Sequence, residues 1–113
     1  MNQIRELEHL RYIYDSIALI EARTKSGETA FTGDLDTQDA VLWRLQTLAE
    51  ATTKLSTDLR TRHPAIQWRA IYGFRNIVAH GYLKLNLSDV WEIIEMHLPA
   101  LKVVVAKELS RDA

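Results

Sequence analysis

Apolar residues near the start of the chain recur in steps of three, four and one: Ile4, Leu7, Leu10, Tyr14, Ile17 and Ala18. That is the period of a helix with one buried face, and Arg5, Glu6, Glu8, Arg11 and Asp15 supply a charged face. The spacing predicts a helix over about 2–24. It closes in Lys25-Ser26-Gly27, a basic last turn followed by a residue suited to a left-handed cap. Residues 26–36, SGETAFTGDLD, hold two of the four glycines and read as the one sizeable loop. Asp36 or Thr37 then caps a second helix, whose stripe of Val41, Leu42, Leu45, Leu48, Ala49, Leu55 and Leu59 carries it to about 60. His63-Pro64 restarts the chain, since proline fits the first position of a helix. A third helix over about 64–80 has Ile71, Phe74 and Val78 as its core line and Gly81 as its stop. Asn86 with Asp89, or Ser88, caps a fourth, with Val90, Ile94, Leu98, Leu101, Val105 and Leu109 along one side. Pro99 interrupts that stripe and predicts a kink or break near His97. Short connections between these elements imply an all-α, antiparallel bundle of four to five helices, with residues 1–113 forming one domain.

Composition narrows the chemistry. The 113 residues include no cysteine, which excludes a disulfide framework, thiol catalysis and cysteine-based metal sites. No apolar run approaches the ~20 residues of a membrane span, and the start, MNQIRELEHL, lacks the pattern of a signal peptide. A cytoplasmic domain with no membrane partner is expected. The net charge of -1 hides an asymmetry. Residues 1–53 hold five basic and nine acidic residues, residues 54–84 six basic and one acidic, and residues 85–113 three and five. A positive middle third suits an anion, or is a solvated helix face.

The densest chemistry lies in that third, in Arg75-Asn76-Ile77-Val78-Ala79-His80-Gly81-Tyr82. His80 is the only side chain here of a type whose unperturbed pKa lies near neutrality, and Arg75 is a permanent cation whose planar fork suits phosphate. Together they form a minimal kit for metal-free phosphodiester chemistry, with a group to move a proton and a group to hold developing charge. On one helix, however, five positions set them about 140° apart, while Asn76 and His80 share a face with Tyr72. One subunit is thus a poor assembler of the site, and a two-fold dimer is a better one. Gly73, which lacks a side chain, would admit a partner helix on that side. Equally, spacing alone leaves His80 as a helix cap and Tyr82 as packing at the bundle end.

RNIVAHGY, its run-up HPAIQWRAIYGF and its continuation LKLNLSDVWEIIEMHLPALK resemble the HepT-like branch of the HEPN superfamily. TQDAVLWRLQTLAEATTKLS resembles that family's second helix. The likeness covers about 37–102 strongly and the first helix more loosely. Its signature, Arg-x4-His-x-Tyr, is met by Arg75, His80 and Tyr82, with Asn76 at the polar position after the arginine. Gln67 stands where the family often has proline.

The resemblance implies a HEPN-like bundle that dimerises through the motif helices and acts as a metal-independent endoribonuclease toxin of a type VII-like toxin–antitoxin system. In such a toxin a cleft between two protomers holds RNA, and a 2'-hydroxyl attacks the adjacent phosphate. His80 is then the general acid/base, Arg75 the phosphate holder, and Asn76 an orienting group. No cofactor is implied for the nuclease. The implied partner is an MNT-type nucleotidyltransferase antitoxin that uses ATP to place AMP on Tyr82, putting charge and bulk beside the cleft. The alternative is a non-catalytic HEPN partner, or substrate-binding subunit, of a nucleotidyltransferase. Glu50 matches an acidic residue common in the family and either buttresses Arg75 or serves the surface.

Other residues take plainer readings. His9, His63 and His97 lack ligand spacing, so no metal site is predicted. Trp43, Trp68 and Trp91 read as core or interface rather than base-stacking residues. Arg62 and Arg69, with Arg60, either guide RNA or contact the antitoxin, or are simply surface.

Overall fold

A computed structural model describes the backbone of residues 2–80 and 86–111 and the side chains of residues 5–76 and 86–111. The described residues form an all-helical fold. Helix α1 spans Asn2–Arg23, α2 Glu28–Thr32, α3 Leu35–Thr52, α4 Thr57–Arg62 and α5 Trp68–His80. Helix α6, Leu87–Glu92, passes through a π-helical turn, Ile93–His97, into α7, Leu98–Arg111.

Four long helical rods enclose the core. Leu10, Ile13, Ile17 and Ile20 of α1 meet Val41, Leu45, Leu48 and Ala49 of α3. Ile71 and Phe74 of α5 and Val90, Ile94, Leu98, Leu101 and Val105 of α6–α7 complete it. Full burial of each large side chain contributes about 1.5–3 kcal/mol, so the stripes, rather than intrinsic propensity, decide which faces turn inward. Contacts between the rods give their directions. Tyr12 Oη donates to Thr47 Oγ1 at 2.7 Å, and Glu6 Oε1 accepts from the Ser56 amide at 2.5 Å, so α1 and α3 are antiparallel. Lys102 Nζ meets Glu21 Oε1 at 2.6 Å, while Tyr14 and Arg11 line a groove with Ala106 and Leu109, so α1 and α7 are antiparallel. Phe74 stacks edge-on against His97, and His63 meets Glu108, which sets α5 antiparallel to α7 and hence to α3.

The elements depart from the expected ones in four places. The loop after α1 contains α2, which docks Phe31 into the core with its ring 5.6 Å from that of Trp91. Gly27 permits the turn into it with φ of +98°, a left-handed value that other residues rarely take. Gln38 Nε2 then donates to the carbonyls of Phe31 and Thr32, closing the far end of α2. Second, the cap of α3 is Asp34 rather than Asp36 or Thr37. Its carboxylate accepts from the Thr37 hydroxyl at 2.8 Å and from the amides of Thr37 and Asp36, and the two bonds from Thr37, the hydroxyl's first, hold it below the usual carboxylate range. Third, the helix expected to reach 60 ends at Thr52. The hydroxyls of Thr52 and Thr53 donate to the carbonyls of Ala49 and Glu50, both at 2.6 Å, which competes with continued helix. Ser56 then caps α4 by accepting from the Leu59 amide.

Fourth, α5 starts at Trp68 instead of Pro64. The His63 carbonyl accepts from both the Ile66 amide and the Trp68 indole, turning Ile66 into the core before the helix begins. The expected interruption before Pro99 takes the form of the π-helical turn, not of a break. Proline cannot donate to the carbonyl four residues back, and the wider turn absorbs that lost bond. Asn86 caps α6 as expected, its Oδ1 accepting from the Ser88 amide at 2.9 Å. The expected stop at Gly81 lies outside the described residues.

Candidate functional site

Arg75 lies at the edge of the core-facing side of α5, one turn after the buried Ile71, and reaches across the seam to α3. Two bonds position its guanidinium. Nε donates to the Tyr72 carbonyl at 3.2 Å, and Nη1 donates to Glu50 Oε1 at 2.8 Å across the α3–α5 seam. The side chains of Arg75 and Glu50 are 40% and 52% exposed, so the fork is held yet open to solvent. The Arg75 bond keeps the Glu50 carboxyl below its ordinary range, and Lys54 Nζ, 3.9 Å from Oε2, reinforces this. One turn before Arg75, the Tyr72 hydroxyl accepts from Arg60, whose guanidinium also lies 5.8 Å from the centre of the Tyr72 ring. Two guanidinium groups therefore flank Tyr72, and a carboxylate orients one of them. Such a surface can hold a phosphate while excluding loose rotamers of Arg75.

Asn76 follows Arg75 and is exposed. His80 is the last residue of α5, about 7.5 Å further along the axis by helical rise; its side chain lies outside the described residues, as does Tyr82. A Cβ built on Gly73 would meet nothing within 4 Å.

Arg62 is placed elsewhere. Its fork is turned onto Glu108 of α7, with Nη2 to Oε1 at 2.7 Å and Nε to Oε2 at 3.3 Å, so it joins α4 to α7 while 39% of its side chain stays exposed. Arg69 stays exposed on the first turn of α5. Of the three tryptophans read as core or interface, Trp68 and Trp91 pack against the core, whereas Trp43 is 61% exposed and is not a core residue. Sequence reasoning missed Glu108 altogether. It is buried, and it accepts from both Arg62 and the ring Nε2 of His63, the latter at 2.5 Å. The only local sign was a glutamate at a position where the α7 stripe calls for an apolar residue.

Comparisons with known proteins point to one family. A family model described as "Ribonuclease HepT-like" matches residues 13–108. A Thermococcus cleftensis protein named "Probable ribonuclease HepT" is 31% identical over 98 residues, covering 84% of this chain and 87% of its own. A Methanocaldococcus jannaschii protein named "Gamma-glutamylcyclotransferase and putative RNase" is 32% identical over 100 residues, and there the match takes in 88% of this chain but 45% of the relative. This chain thus corresponds to under half the length of that relative. No solved structure matches it significantly. Matched by the family model over most of its length, and folded as a helical bundle with a solvent-open arginine on its fifth helix, the chain belongs to the ribonuclease HepT-like family.

Proposed function

We propose that the chain is a metal-independent endoribonuclease whose site is built from Arg75, Asn76 and His80 of two protomers. The observation that carries this reading is the exposed Arg75 fork, held in place by Glu50, in a chain of a ribonuclease family. In the proposed step, His80 removes the proton of an RNA 2'-hydroxyl. The freed oxygen bonds to the adjacent phosphorus, and the bond from phosphorus to the 5'-oxygen breaks. A second proton, returned from a histidine, goes to the leaving oxygen, and the products are a 2',3'-cyclic phosphate and a 5'-hydroxyl. Arg75 stabilises the charge that builds on the phosphoryl oxygens, and Asn76 orients the phosphate or the histidine. Since Arg75 and His80 leave α5 about 140° apart by helical spacing, two copies related by a two-fold axis complete the cleft, and the open side of Gly73 leaves room for a partner helix.

Regulation is read from the same sequence motif. An MNT-type nucleotidyltransferase antitoxin would transfer AMP from ATP to Tyr82, two residues past His80. The added phosphate repels the RNA backbone where Arg75 should attract it. The decisive experiment incubates the purified protein with total RNA in EDTA beside His80→Ala, after mass spectrometry has confirmed an unmodified Tyr82. Cleavage by the wild type and its loss in the variant is the expected result. An unmodified dimer that leaves RNA intact overturns the reading in favour of a non-catalytic subunit of a nucleotidyltransferase.

A further inference from the structure

Trp43 stands on the outside of α3 with 61% of its surface exposed, although an indole is among the side chains that gain most from burial. Its neighbours on that face are polar apart from Ala40. Asp39, Gln46 and Glu50 lie within about 60° of it around the helix. Glu50, seven residues on, is about 10 Å along the axis, and it is the residue whose carboxylate holds Arg75 at 2.8 Å. Because α3 and α5 are antiparallel, the part of α5 beyond Arg75 runs back toward the Trp43 end of α3. One outward face therefore carries a lone indole and a positioned guanidinium separated by roughly one or two nucleotides of an extended strand.

These are the two components of a single-strand site, a cation for the backbone and a π face for a base. We propose that Trp43 is a stacking platform for a base of single-stranded RNA next to the phosphate held at Arg75. It is a binding and positioning residue for the cleavage proposed above, and the inference rests on that reading. The surroundings choose the occupant. The core of a protein contact is depleted of charged residues, whereas the acidic Asp39 and Glu50 and the polar Gln46 stand beside this indole, with Ala40 as a small apolar neighbour. Asp39 and Glu50 disfavour a phosphate directly over the indole, so the part of a strand that meets Trp43 is a base. Stacking reads no hydrogen-bond edge, so it tolerates any sequence but requires an unpaired base.

The test is titration of the protein with an oligo(A) decamer, 2'-O-methylated so that it lacks the attacking hydroxyl, and with its duplex. Trp68 and Trp91 are packed against the core, so the fluorescence quenched by the single strand should come from Trp43 and vanish in Trp43→Phe. Trp43→Ala should bind the decamer about tenfold more weakly, the size of one lost base–aromatic stack. In cleavage assays it should raise KM by a similar factor while changing kcat much less, and Phe should recover most of the loss. Unquenched wild-type fluorescence, or alanine-variant binding within twofold of wild type, overturns the proposal. So does a change of oligomeric state in Trp43→Ala, which assigns the indole to a protein contact. The two readings fail separately: quenching without cleavage overturns the nuclease alone, and cleavage indifferent to Trp43→Ala overturns the stacking platform alone.

Discussion

Among the described residues, two arginine–glutamate pairs join helices across this bundle, Arg62–Glu108 and Arg75–Glu50, with closest approaches of 2.7 and 2.8 Å. Distance alone does not tell them apart, but burial does. The Glu108 side chain is 5% exposed, takes two bonds from Arg62 and one from His63, and has Arg111 at 3.8 Å. Its charge is out of water and is compensated from several directions, so removing one partner leaves a desolvated ion. The Glu50 side chain is 52% exposed and takes one bond from an arginine that is itself 40% exposed. Water screens that pair, and it contributes little to stability. The same two residue types thus tie α4 to α7 in one place and aim a cation outward in the other.

The largest expected effect separates these roles most sharply. Arg75→Ala should lower RNA cleavage by about 10²–10³, the range for removing one group that stabilises transition-state charge. Its urea unfolding free energy should stay within about 0.5 kcal/mol of wild type, as for an exposed pair. A variant that cuts normally, or that unfolds much more easily, would break the distinction. Glu108→Ala should do the reverse. We expect a loss of about 2–4 kcal/mol in urea unfolding, toward the low end because Arg62 can return to water, with normal cleavage per folded molecule. If the alanine variant does not fold, Glu108→Gln keeps the volume and permits the same measurement.

Titration sharpens the contrast further. The Arg62 and His63 bonds hold Glu108 below its ordinary pKa of 4.5. A carboxylate whose folded value is depressed contributes stability that is full above the unfolded value and is lost as pH falls toward the folded one. Wild type should therefore lose stability on acidification from about pH 5 downward more steeply than Glu108→Gln. Parallel curves of unfolding midpoint against pH for the two proteins would remove Glu108 from its place as the acid-sensitive tie.

Much of the bundle was legible because long amphipathic stripes repeat over many turns. Leu10 and Ile17, Val41 to Ala49, Ile71 and Phe74, and Val90 to Val105 all face the core as their spacing predicts. The misses fall where periodicity has too few residues to act. Helix α2 is 5 residues long, and only Phe31 betrays its inward side. The end of α3 is decided by two threonine hydroxyls choosing backbone carbonyls over solvent, and the late start of α5 by a shared carbonyl at His63. For the candidate site, the Arg75 position was legible from its motif and its partner Glu50 only through family likeness. The tie from His63 to Glu108 spans 45 positions and leaves no local pattern. Trp43 was read as core or interface; its place on the outer face of α3 excludes the core and follows from how α1 and α5 share the inner one.

The smallest expected effect probes the link between the held arginine and its use. Glu50→Gln keeps the length and an acceptor oxygen but removes the charge that orients Arg75. The bond to the Tyr72 carbonyl remains and still restricts the guanidinium. Cleavage should therefore fall only about fivefold, well short of the loss in Arg75→Ala, because a positioning group is removed while the charge that meets the phosphate stays. Two opposing terms set that figure. Losing Glu50 loosens the fork, but it also removes a negative charge that competes with the phosphate for Arg75 and repels the RNA backbone. Substrate affinity should consequently hold or improve while kcat falls, a split that simple unfolding would not produce. Were kcat unchanged and KM alone lowered, Glu50 would be a brake on RNA binding rather than a guide for Arg75. The exposed pair would then differ from the buried one in sign as well as in size.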